Sequence, residues 1–429
     1  MGYIIPVIQE KFKEAKIIAL HIENFPEHPG VHSLCSLESA EIENFLDTHL
    51  NDAGSIQIIE WRPSLKFYKE SYLKLLSNVV EFIKRADAGE RTAAAFGKRW
   101  VKNFFRNTEN INNTLLYRES SLPVIITGSG PCLEDAFPVI QKVQNYCLII
   151  AASSSAAALS HNGIKPDFII ATDGGSWALR HLYSCFRENM LCETQPLAVN
   201  LCAALPSQSF NAPKLIINDG SLWQSIVLHE LKIPSVIIPQ RGTVTATAAE
   251  LAMIISRGNI FLAGTDLSAA DIRTHVKPYN FDSLFFERAN RFAPYYSDVF
   301  KRSSLILQGG SMDIYASWFK THLASKKNKI FSIKSGVNIF KDGNYLLNAL
   351  CDKKNISNFF KIENNRNNDQ PQREKGINAL LSAIKNPRYS RDLKQELNSL
   401  LFPGNENVSE RELETALNEL LRNGISVYE

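Results

Sequence analysis

The chain has 429 residues, of which 45% are hydrophobic and 10% aromatic, a composition that excludes a disordered or fibrous protein and allows about three domains of roughly 150 residues each. Its 47 basic and 44 acidic residues leave a net charge of +3, which is too weak to indicate a nucleic-acid or membrane-surface partner. No apolar run approaches the roughly 18 residues that a membrane-spanning helix needs.

The seven cysteines are scattered singly from Cys35 to Cys351, and no CxxC pair occurs. This spacing fits free thiols in a reducing compartment rather than a zinc or redox centre. The amino-terminal MGYIIPVIQEKFKEAK lacks a basic segment followed by an apolar stretch and a cleavage site, so a secretion signal is not predicted. We expect a cytoplasmic protein that is not inserted in a membrane.

The first 115 residues predict a small α/β domain. The apolar run SIQIIEW (55–61) has the character of a strand. Apolar residues then recur at helical spacing over 64–85 and again over 90–107, which predicts two amphipathic helices.

Residues 116–345 predict a doubly wound α/β domain with a mostly parallel, Rossmann-like central sheet. Short apolar runs rich in Ile and Val alternate there with helical stretches, at 123–127, 147–153, 167–172, 196–201, 214–219, 235–239 and 259–264. Runs without polar alternation indicate strands buried on both faces, as in a parallel sheet covered by helices. Ligands of such sheets bind beyond the carboxyl ends of the strands, so the residues that follow each run are the candidates for function.

The rest of the chain predicts smaller features. The strongly aromatic stretch 276–300 is equally consistent with a lid and with a packed loop, and a helix over 311–325 and a strand over 329–334 follow it. Residues 346–429 predict a linker, polar and Asn-rich over 355–376, and then a module of three amphipathic helices. Ser409 and Glu412 form a capping box for the last helix.

The first strand of the predicted sheet ends in TGSGPCLEDAF. Gly128 and Gly130, on either side of Ser129, let a backbone turn tightly and approach a ligand. Pro131 favours a helix start, whose N–H groups and positive dipole end suit a phosphate. The loop is not a dinucleotide fingerprint, because Leu133 replaces the third glycine, and no Walker lysine follows.

Polar residues follow four further strands. Ser153 and Ser154 suit either a ribose or phosphate contact or helix capping, and Asp173 suits a sugar hydroxyl, a metal or capping. The residues placed between a strand and a helix where an anion would bind are Arg241, Gly242 and Thr243. The last strand leads into Thr265 and Asp266, with His275 nine residues after the aspartate, and on spacing alone this histidine is either catalytic or structural.

Taken in order, GSGPCL, NGIKPDFIIATD, the RGTV-to-GTDL stretch and the following TH resemble the central domain of motility accessory factor (Maf) proteins, a family of flagellin glycosyltransferases. The flanks IIEWRPSLKFYKESY and IYASWF agree with it, so the resemblance covers roughly residues 50 to 340. That domain is related to 6-hydroxymethylpterin pyrophosphokinases, and its first motif resembles the glycine loop of bacterial sialyltransferases.

The resemblance implies transfer of a nonulosonic acid (pseudaminic, legionaminic or a related sugar) from a CMP-activated donor to Ser or Thr of flagellin. It places CMP on the loop from Gly128 to Leu133, with Asp173 and Asp266 beside the donor. His275 would stand where the sialyltransferases have their catalytic base. Arg241, Gly242, Thr243 and Thr265 would contact donor phosphate, and Ser153 and Ser154 the nucleotide. The chain departs from the pattern at Cys132, where a Ser is usual.

A second departure concerns Ser268, which stands where sialyltransferases have a tyrosine. No cofactor is expected to be required, although participation of Mg²⁺ stays open, as does oligomerisation. Two alternatives remain. One is a pyrophosphokinase acting on a pterin, which would need Mg²⁺. The other is a non-catalytic flagellin-binding assembly factor.

Overall fold

The chain, described from a computed structural model, divides into two compact units, Met1–Ala93 and Ala94–Glu429. The three predicted domains, with boundaries after residues 115 and 345, stay a prediction. The structure describes residues 4–13, 15–24, 28–50, 56–192, 194–267, 273–295, 297, 300, 315–316, 318–319, 323, 329–333, 340–350, 355, 359–364, 371–405 and 408–422.

The first unit has a two-stranded parallel sheet and helices. Its elements are α1 (Ile4–Lys11), β1 (Ile17–His21), β2 (Val31–Cys35), α2 (Ser39–His49), α3 (Arg62–Phe67) and the first part of α4 (Lys69–Thr108). β1 and β2 pair in register from Ile17 opposite Val31 to His21 opposite Cys35. Ile42 of α2 and Phe82 of α4 belong to its buried core. The mixed α/β character expected for the amino-terminal region is confirmed.

Two local predictions for this region are wrong. Residues 56–61 form no strand, and Ile58 and Ile59 are exposed, because a strand needs a partner edge that this segment does not meet. The two predicted helices are one 40-residue helix, α4. Gly89 lies in its middle with open space around it, and its cost of about 1 kcal/mol relative to Ala does not break a helix with an apolar face to pack.

The second unit is built on a ten-stranded sheet. Its strands are β3 (Asn113–Tyr117), β4 (Val124–Thr127), β5 (Leu148–Ala152), β6 (Phe168–Ala171), β7 (Leu197–Asn200), β8 (Lys214–Asn218), β9 (Ser235–Ile237), β10 (Ile260–Ala263), β11 (Ile330–Ile333) and β12 (Phe360–Asn364). Their order is β11-β10-β4-β5-β6-β7-β8-β3-β12, and β9 pairs with β8 beside β3. All pairs are parallel except β12 with β3.

Helices connect and cover these strands. They are α5 (Leu133–Val143), α6 (Ala156–His161), α7 (Ser176–Arg187), α8 (Leu222–Glu230), α9 (Val244–Ile255), α10 (Asp282–Arg288), α11 (Asn344–Asn348), α12 (Gln372–Ile384), α13 (Ser390–Leu401) and α14 (Glu410–Arg422). Every residue of β4, β5, β6, β7, β8 and β10 is buried, as continuous apolar runs require. The seven strands predicted for this domain, and with them the doubly wound fold class, are confirmed. The burial expected of the run at 235–239 is wrong for β9, where Ser235 and Ile237 are exposed, because among the described strands β9 pairs with β8 alone.

The sheet reverses its direction of winding beside β4. From β4 the chain steps to β5, β6, β7 and β8 on one side, and β10 then returns to the other side of β4. Helix α9 makes that crossover, and its small residues Ala248, Ala249 and Ala252 are part of the core with Ile126 and Leu262 of the strands below. The loops after β4 and β10 therefore meet at a switch point, where open α/β sheets bind their ligands.

The stretch predicted as a linker contains a strand. Residues Phe360–Asn364 pair antiparallel with β3, and the Phe360 ring packs on that of Phe168 with 4.5 Å between centroids. One face of an antiparallel edge strand can be exposed to solvent, so its sequence can be polar. A polar sequence of this kind is therefore easily taken for a loop.

The helical carboxy-terminal module is confirmed as α12, α13 and α14. The capping box forms as predicted, since Ser409 N donates to Glu412 Oε2 at 2.8 Å and Glu412 N donates to Ser409 Oγ at 3.3 Å. Leu413 and Leu417, four residues apart on one face of this helix, are buried. Gly424, which the sequence predicts as the residue that ends the helix, lies outside the described residues. Glu396 of α13 accepts the N–H groups of Leu222 and Trp223 at 3.0 and 3.1 Å, so this module caps α8.

The end of α4 reaches the carboxyl edge of the sheet. Asn103 Nδ2 donates to the carbonyls of Gly174 and Cys202, and Asn107 Nδ2 to those of Leu201 and Ala203. These two amides hold the chain after β6 and β7 in place. The sequence predicts this part of α4 only as an amphipathic helix and does not indicate these contacts with the sheet edge.

Candidate functional site

The loops that follow β4 and β10 are joined by their backbones. Gly128 N donates to Ala263 O, and Gly130 N donates to Gly264 O, both at 2.8 Å. A Cβ on Gly128 would lie 2.4 Å from Gly264 O, and one on Gly130 only 2.0 Å from Asp266 Oδ2. The space that glycine leaves, which the sequence assigned to a ligand, is used at these two positions to pack one loop on the other.

Asp266 lies at the start of α5. It is 6% exposed, and its Oδ2 accepts the Cys132 N–H at 2.9 Å. Burial, together with a hydrogen bond to Asp266, raises the pKa of the Cys132 thiol to about 12, so this cysteine stays protonated. A carboxylate of the chain itself therefore occupies the position at this helix start that an anion would take.

This arrangement corrects one expectation about the loop. The N–H groups of Gly128, Gly130 and Cys132 are all hydrogen-bonded within the protein. The sequence predicts that N–H groups at the start of the following helix point at a ligand, and the Cys132 N–H bonds Asp266 instead. Ser129 is different, because among the described residues its N–H and hydroxyl have no hydrogen-bond partner. The nucleotide role predicted for this loop stays a prediction.

A short segment carries His275 to the same loop. Val276 N donates to Ser129 O at 2.9 Å. On α5, Glu134 forms an ion pair with Arg273 at 2.9 Å and accepts the Lys277 N–H at 3.1 Å. The chain on each side of His275 is thus held on α5, and the histidine predicted from the Thr-His motif lies beside the glycine loop.

Two neighbours orient the half-buried His275 ring. Its Nδ1 hydrogen-bonds Thr274 Oγ1 at 2.8 Å. The Tyr279 ring stacks on it, with 4.0 Å between centroids and 16° between planes. Tyr279 is one of the aromatics of the 276–300 stretch, so this part of the stretch packs around a candidate catalytic residue.

A second histidine, His181 of α7, lies on the other side of this group. Its ring is 5.4 Å from that of Tyr279 and 4.9 Å from that of Phe281. Burial lowers the pKa of His181 to about 4, which keeps the ring neutral near pH 7. Nothing in the sequence marked His181, because a histidine on a helix face becomes meaningful only through what packs on it.

Asp173 lies at the end of β6, two strands from β4. Its carboxylate is exposed and accepts the Gly175 N–H at 2.7 Å. Its neighbour Gly174 lies against α4, where an added Cβ would be 2.4 Å from Trp100 Cδ1. The structure thus brings Asp266 and His275 to one loop and leaves Asp173 further along the same edge of the sheet.

The serines after β5 divide by role. Ser155 is buried, and its hydroxyl lies 2.9 Å from Thr127 Oγ1, so it ties β5 to β4. Ser153 and Ser154 have hydroxyls without a hydrogen-bond partner in the described part of the chain. These are the two serines that the sequence assigned to the nucleotide.

The residues predicted to hold donor phosphate have partners within the protein. Arg241 pairs with Glu250 at 2.8 Å and lies over the Trp318 ring. Thr243 caps α9 by accepting the Ala246 N–H at 3.1 Å. Gly242 has a φ of +75°, which glycine adopts readily. Thr265 is buried. Their predicted contact with a ligand stays a prediction.

The described residues contain no group of three or more acidic, His or Cys side chains that could hold a metal ion. An open depression runs along α7 and is lined by Ser176, Trp177, Leu179, Arg180 and Tyr183. No described helix combines the length and the apolar character that crossing a bilayer takes.

The fold places the chain in the class of doubly wound α/β proteins with a ligand edge at a switch point. Residues 98–271 match the family model described as 6-hydroxymethylpterin diphosphokinase MptE-like. That match includes both loops and Asp266, and it ends four residues before His275.

Two individual proteins are similar to this chain. An uncharacterized protein of Treponema pallidum (strain Nichols) is 27% identical over 294 residues, which is 67% of this chain and 63% of that protein. The match thus covers less than two thirds of the relative's length. The structure of a MAf glycosyltransferase from Magnetospirillum magneticum AMB-1 aligns with a TM-score of 0.49 and 13% identity, over 98% of this chain and 71% of that one.

Alanine should have opposite effects on stability at Gly130, which lies in the contact between the two loops, and at Gly89, which lies on the surface of α4. Gly130→Ala should destabilise the second unit by about 1–3 kcal/mol, because the added Cβ overlaps the buried Asp266 carboxylate. Gly89→Ala, exposed in α4 with nothing nearby, should stabilise the chain by about 0.5–1 kcal/mol. Urea denaturation of both variants measures this. Equal stability of Gly130→Ala and wild type would contradict the loop contact.

The buried His181 predicts a loss of stability in acid. Its pKa is 6.5 when unfolded and about 4 when folded, so the folded state resists protonation. The stability that this ring contributes is present above pH 6.5 and is lost as the pH falls towards 4, by up to about 3 kcal/mol. Melting temperatures from pH 7 to 4 should fall more steeply for wild type than for His181→Phe. The exposed His161, changed to Gln, should leave the wild-type slope unaltered.

Proposed function

We propose that the protein is a cytoplasmic glycosyltransferase that transfers a nonulosonic acid from a CMP-activated donor to Ser or Thr of flagellin. The observation that carries the proposal is the hydrogen bond from Val276 N to Ser129 O. It sets the histidine of the Thr-His motif beside the glycine loop, at the edge of the sheet where ligands bind. The ordered motifs that resemble the Maf family support the choice of reaction.

Groups that remain available at this edge suit the nucleotide part of the donor. The Ser129 N–H and the hydroxyls of Ser153 and Ser154 follow adjacent strands and have no protein partner among the described residues. These groups can donate hydrogen bonds to the oxygen atoms of a phosphate or a ribose. Asp173 would accept from donor hydroxyls, and Asp266 would hold the loop that presents Ser129.

The proposed reaction requires a base for the acceptor hydroxyl and hydrogen-bond donors for the leaving phosphate. The acceptor hydroxyl must lose its proton, and His275 is the group we assign to receive it, since imidazole takes up protons near pH 7. The hydroxyl oxygen then bonds to the anomeric carbon of the sugar, and the bond from that carbon to the phosphate oxygen breaks. CMP leaves with the electron pair, and hydrogen-bond donors at the sheet edge stabilise its charge.

A diphosphotransferase is the second candidate, favoured by the MptE-like match over residues 98–271. It would transfer diphosphate from ATP with Mg²⁺. The loop after β4 lacks the lysine of a Walker motif, and the family match stops before His275. The two candidates differ in the nucleotide that they bind.

Nucleotide binding separates these candidates. CMP should raise the melting temperature, and ATP with Mg²⁺ should not; at 100 times its dissociation constant a ligand adds about 2.7 kcal/mol of stability. The double change of Ser153 and Ser154 to Ala should abolish the CMP effect. Ser121→Ala, at the opposite edge of the sheet, should keep it. Stabilisation by ATP and Mg²⁺ alone would favour the diphosphotransferase.

The base is tested by His275→Ala. We expect CMP to bind as in wild type while sugar transfer to flagellin slows by about 10²–10⁴-fold, the scale of losing a general base. CMP affinity, melting temperature and flagellin modification are measured on the same preparation. Transfer at the wild-type rate would remove His275 from the mechanism, and a parallel loss of stability and CMP affinity would make it a structural residue.

A further inference from the structure

The segment from Arg273 to Asp282 is fixed to two helices. Near its start, Arg273 and the Lys277 N–H both bind Glu134 of α5. Near its end, Asn280 Nδ2 donates to His181 O at 2.8 Å, and Arg180 Nε donates to Asn280 O at 3.3 Å. The segment therefore spans from α5 to α7. His275 lies between the two residues that bind Glu134, and Tyr279 lies between Lys277 and Asn280.

The stacked pair within this segment has a defined geometry. The planes of His275 and Tyr279 differ by only 16° at 4.0 Å between centroids, and Thr274 Oγ1 lies 2.8 Å from Nδ1. The stack sets the plane of the imidazole, and the hydrogen bond sets its rotation within that plane. Together these two contacts restrict the His275 ring to one orientation. Without them, a half-buried side chain on a loop could adopt several.

Tyr279 is itself supported from behind. The rings of His181 and Phe281 lie 5.4 Å from it on the side of α7, and its N–H donates to Asp282 Oδ2 at 3.2 Å. Because His181 stays neutral and buried, this support carries no charge of its own near pH 7. His181 of α7 thus packs against Tyr279, and Tyr279 in turn stacks on His275.

We propose that Tyr279 and Thr274 are positioning residues that hold the His275 imidazole in its reactive orientation, with His181 as the support of Tyr279. This rests on the proposed role of His275 as the base. A base must be aligned with the proton it takes, and misplacement by about 1 Å can cost 10²-fold in rate. A ring held on one face and at one nitrogen meets that requirement without contact between Tyr279 and substrate.

The stack is tested first without any turnover. In protein labelled with ¹³C at histidine Cε1, the resonance lost in His275→Ala identifies this ring. Stacking on Tyr279 shifts its Cε1 proton upfield through the ring current. Tyr279→Phe should keep that shift, and Tyr279→Leu should abolish it. An unchanged resonance in Tyr279→Leu would overturn the proposal whatever the enzyme does.

Transfer rates then test the positioning role. Tyr279→Leu should lower kcat by about 10- to 100-fold with the KM for donor unchanged, and Tyr279→Phe should restore it. Thr274→Val should lower kcat by about 3- to 10-fold, and Thr274→Ser should restore it. In the His275→Ala background, Tyr279→Leu and Thr274→Val should cost nothing further, because their effect acts through the missing ring.

The outcomes distinguish the two claims. Wild-type transfer by His275→Ala would overturn the proposed base, and the positioning role with it, while the resonance would still report the stack. A normal loss in His275→Ala with full activity in Tyr279→Leu would overturn the positioning role alone. Additive losses in the double variants would show that Tyr279 acts on stability or substrate, and they too would overturn it.

Discussion

The close contact between the loops after β4 and β10 is the constraint on which the candidate site depends. A Cβ atom at Gly128 or Gly130 would overlap the opposite loop, so the two strand ends can meet only with glycine there. The contact brings Asp266 onto the start of α5, and α5 in turn holds the segment that carries His275 through Glu134. Backbone packing of the two loops thereby helps to set the position of His275, which lies further along the connection from β10 to α10.

The carboxyl edge of the sheet combines occupied and available polar groups. Asp266 bonds the start of α5, Glu396 caps α8 from the carboxy-terminal module, and the Thr243 side chain caps α9. No side chain in the described structure caps α7, whose first residues adjoin Asp173. These internal acceptors restrict where an anion can bind, because a helix start that already faces an acceptor gains little from a second one. The available groups cluster after β4 and β5, next to the loop that bears His275.

Aromatic packing serves a different purpose here from that in the core. Tyr279 and Phe281 both pack against His181, and Tyr279 also stacks on His275, so aromatic rings adjoin two imidazoles at the rim of the sheet. Burial holds the His181 imidazole neutral, because removal from water penalises its charged form. The His275 ring is only half-buried, and the next residue, Val276, bonds the glycine loop through its N–H. The two rings share neighbours yet differ in exposure, and this difference separates a supporting residue from a candidate base.

The sequence by itself determined the doubly wound sheet, because strands buried on both faces need continuous apolar runs, and all seven such runs of the central domain are strands. It also determined the capping box at Ser409, which depends on residues three apart. Only the tertiary structure decided that 360–364 joins the sheet, that Gly128 and Gly130 face another loop, and that His181 supports Tyr279. Each of these depends on what a distant part of the chain brings into contact, and local pattern carries no information about a partner a hundred residues away.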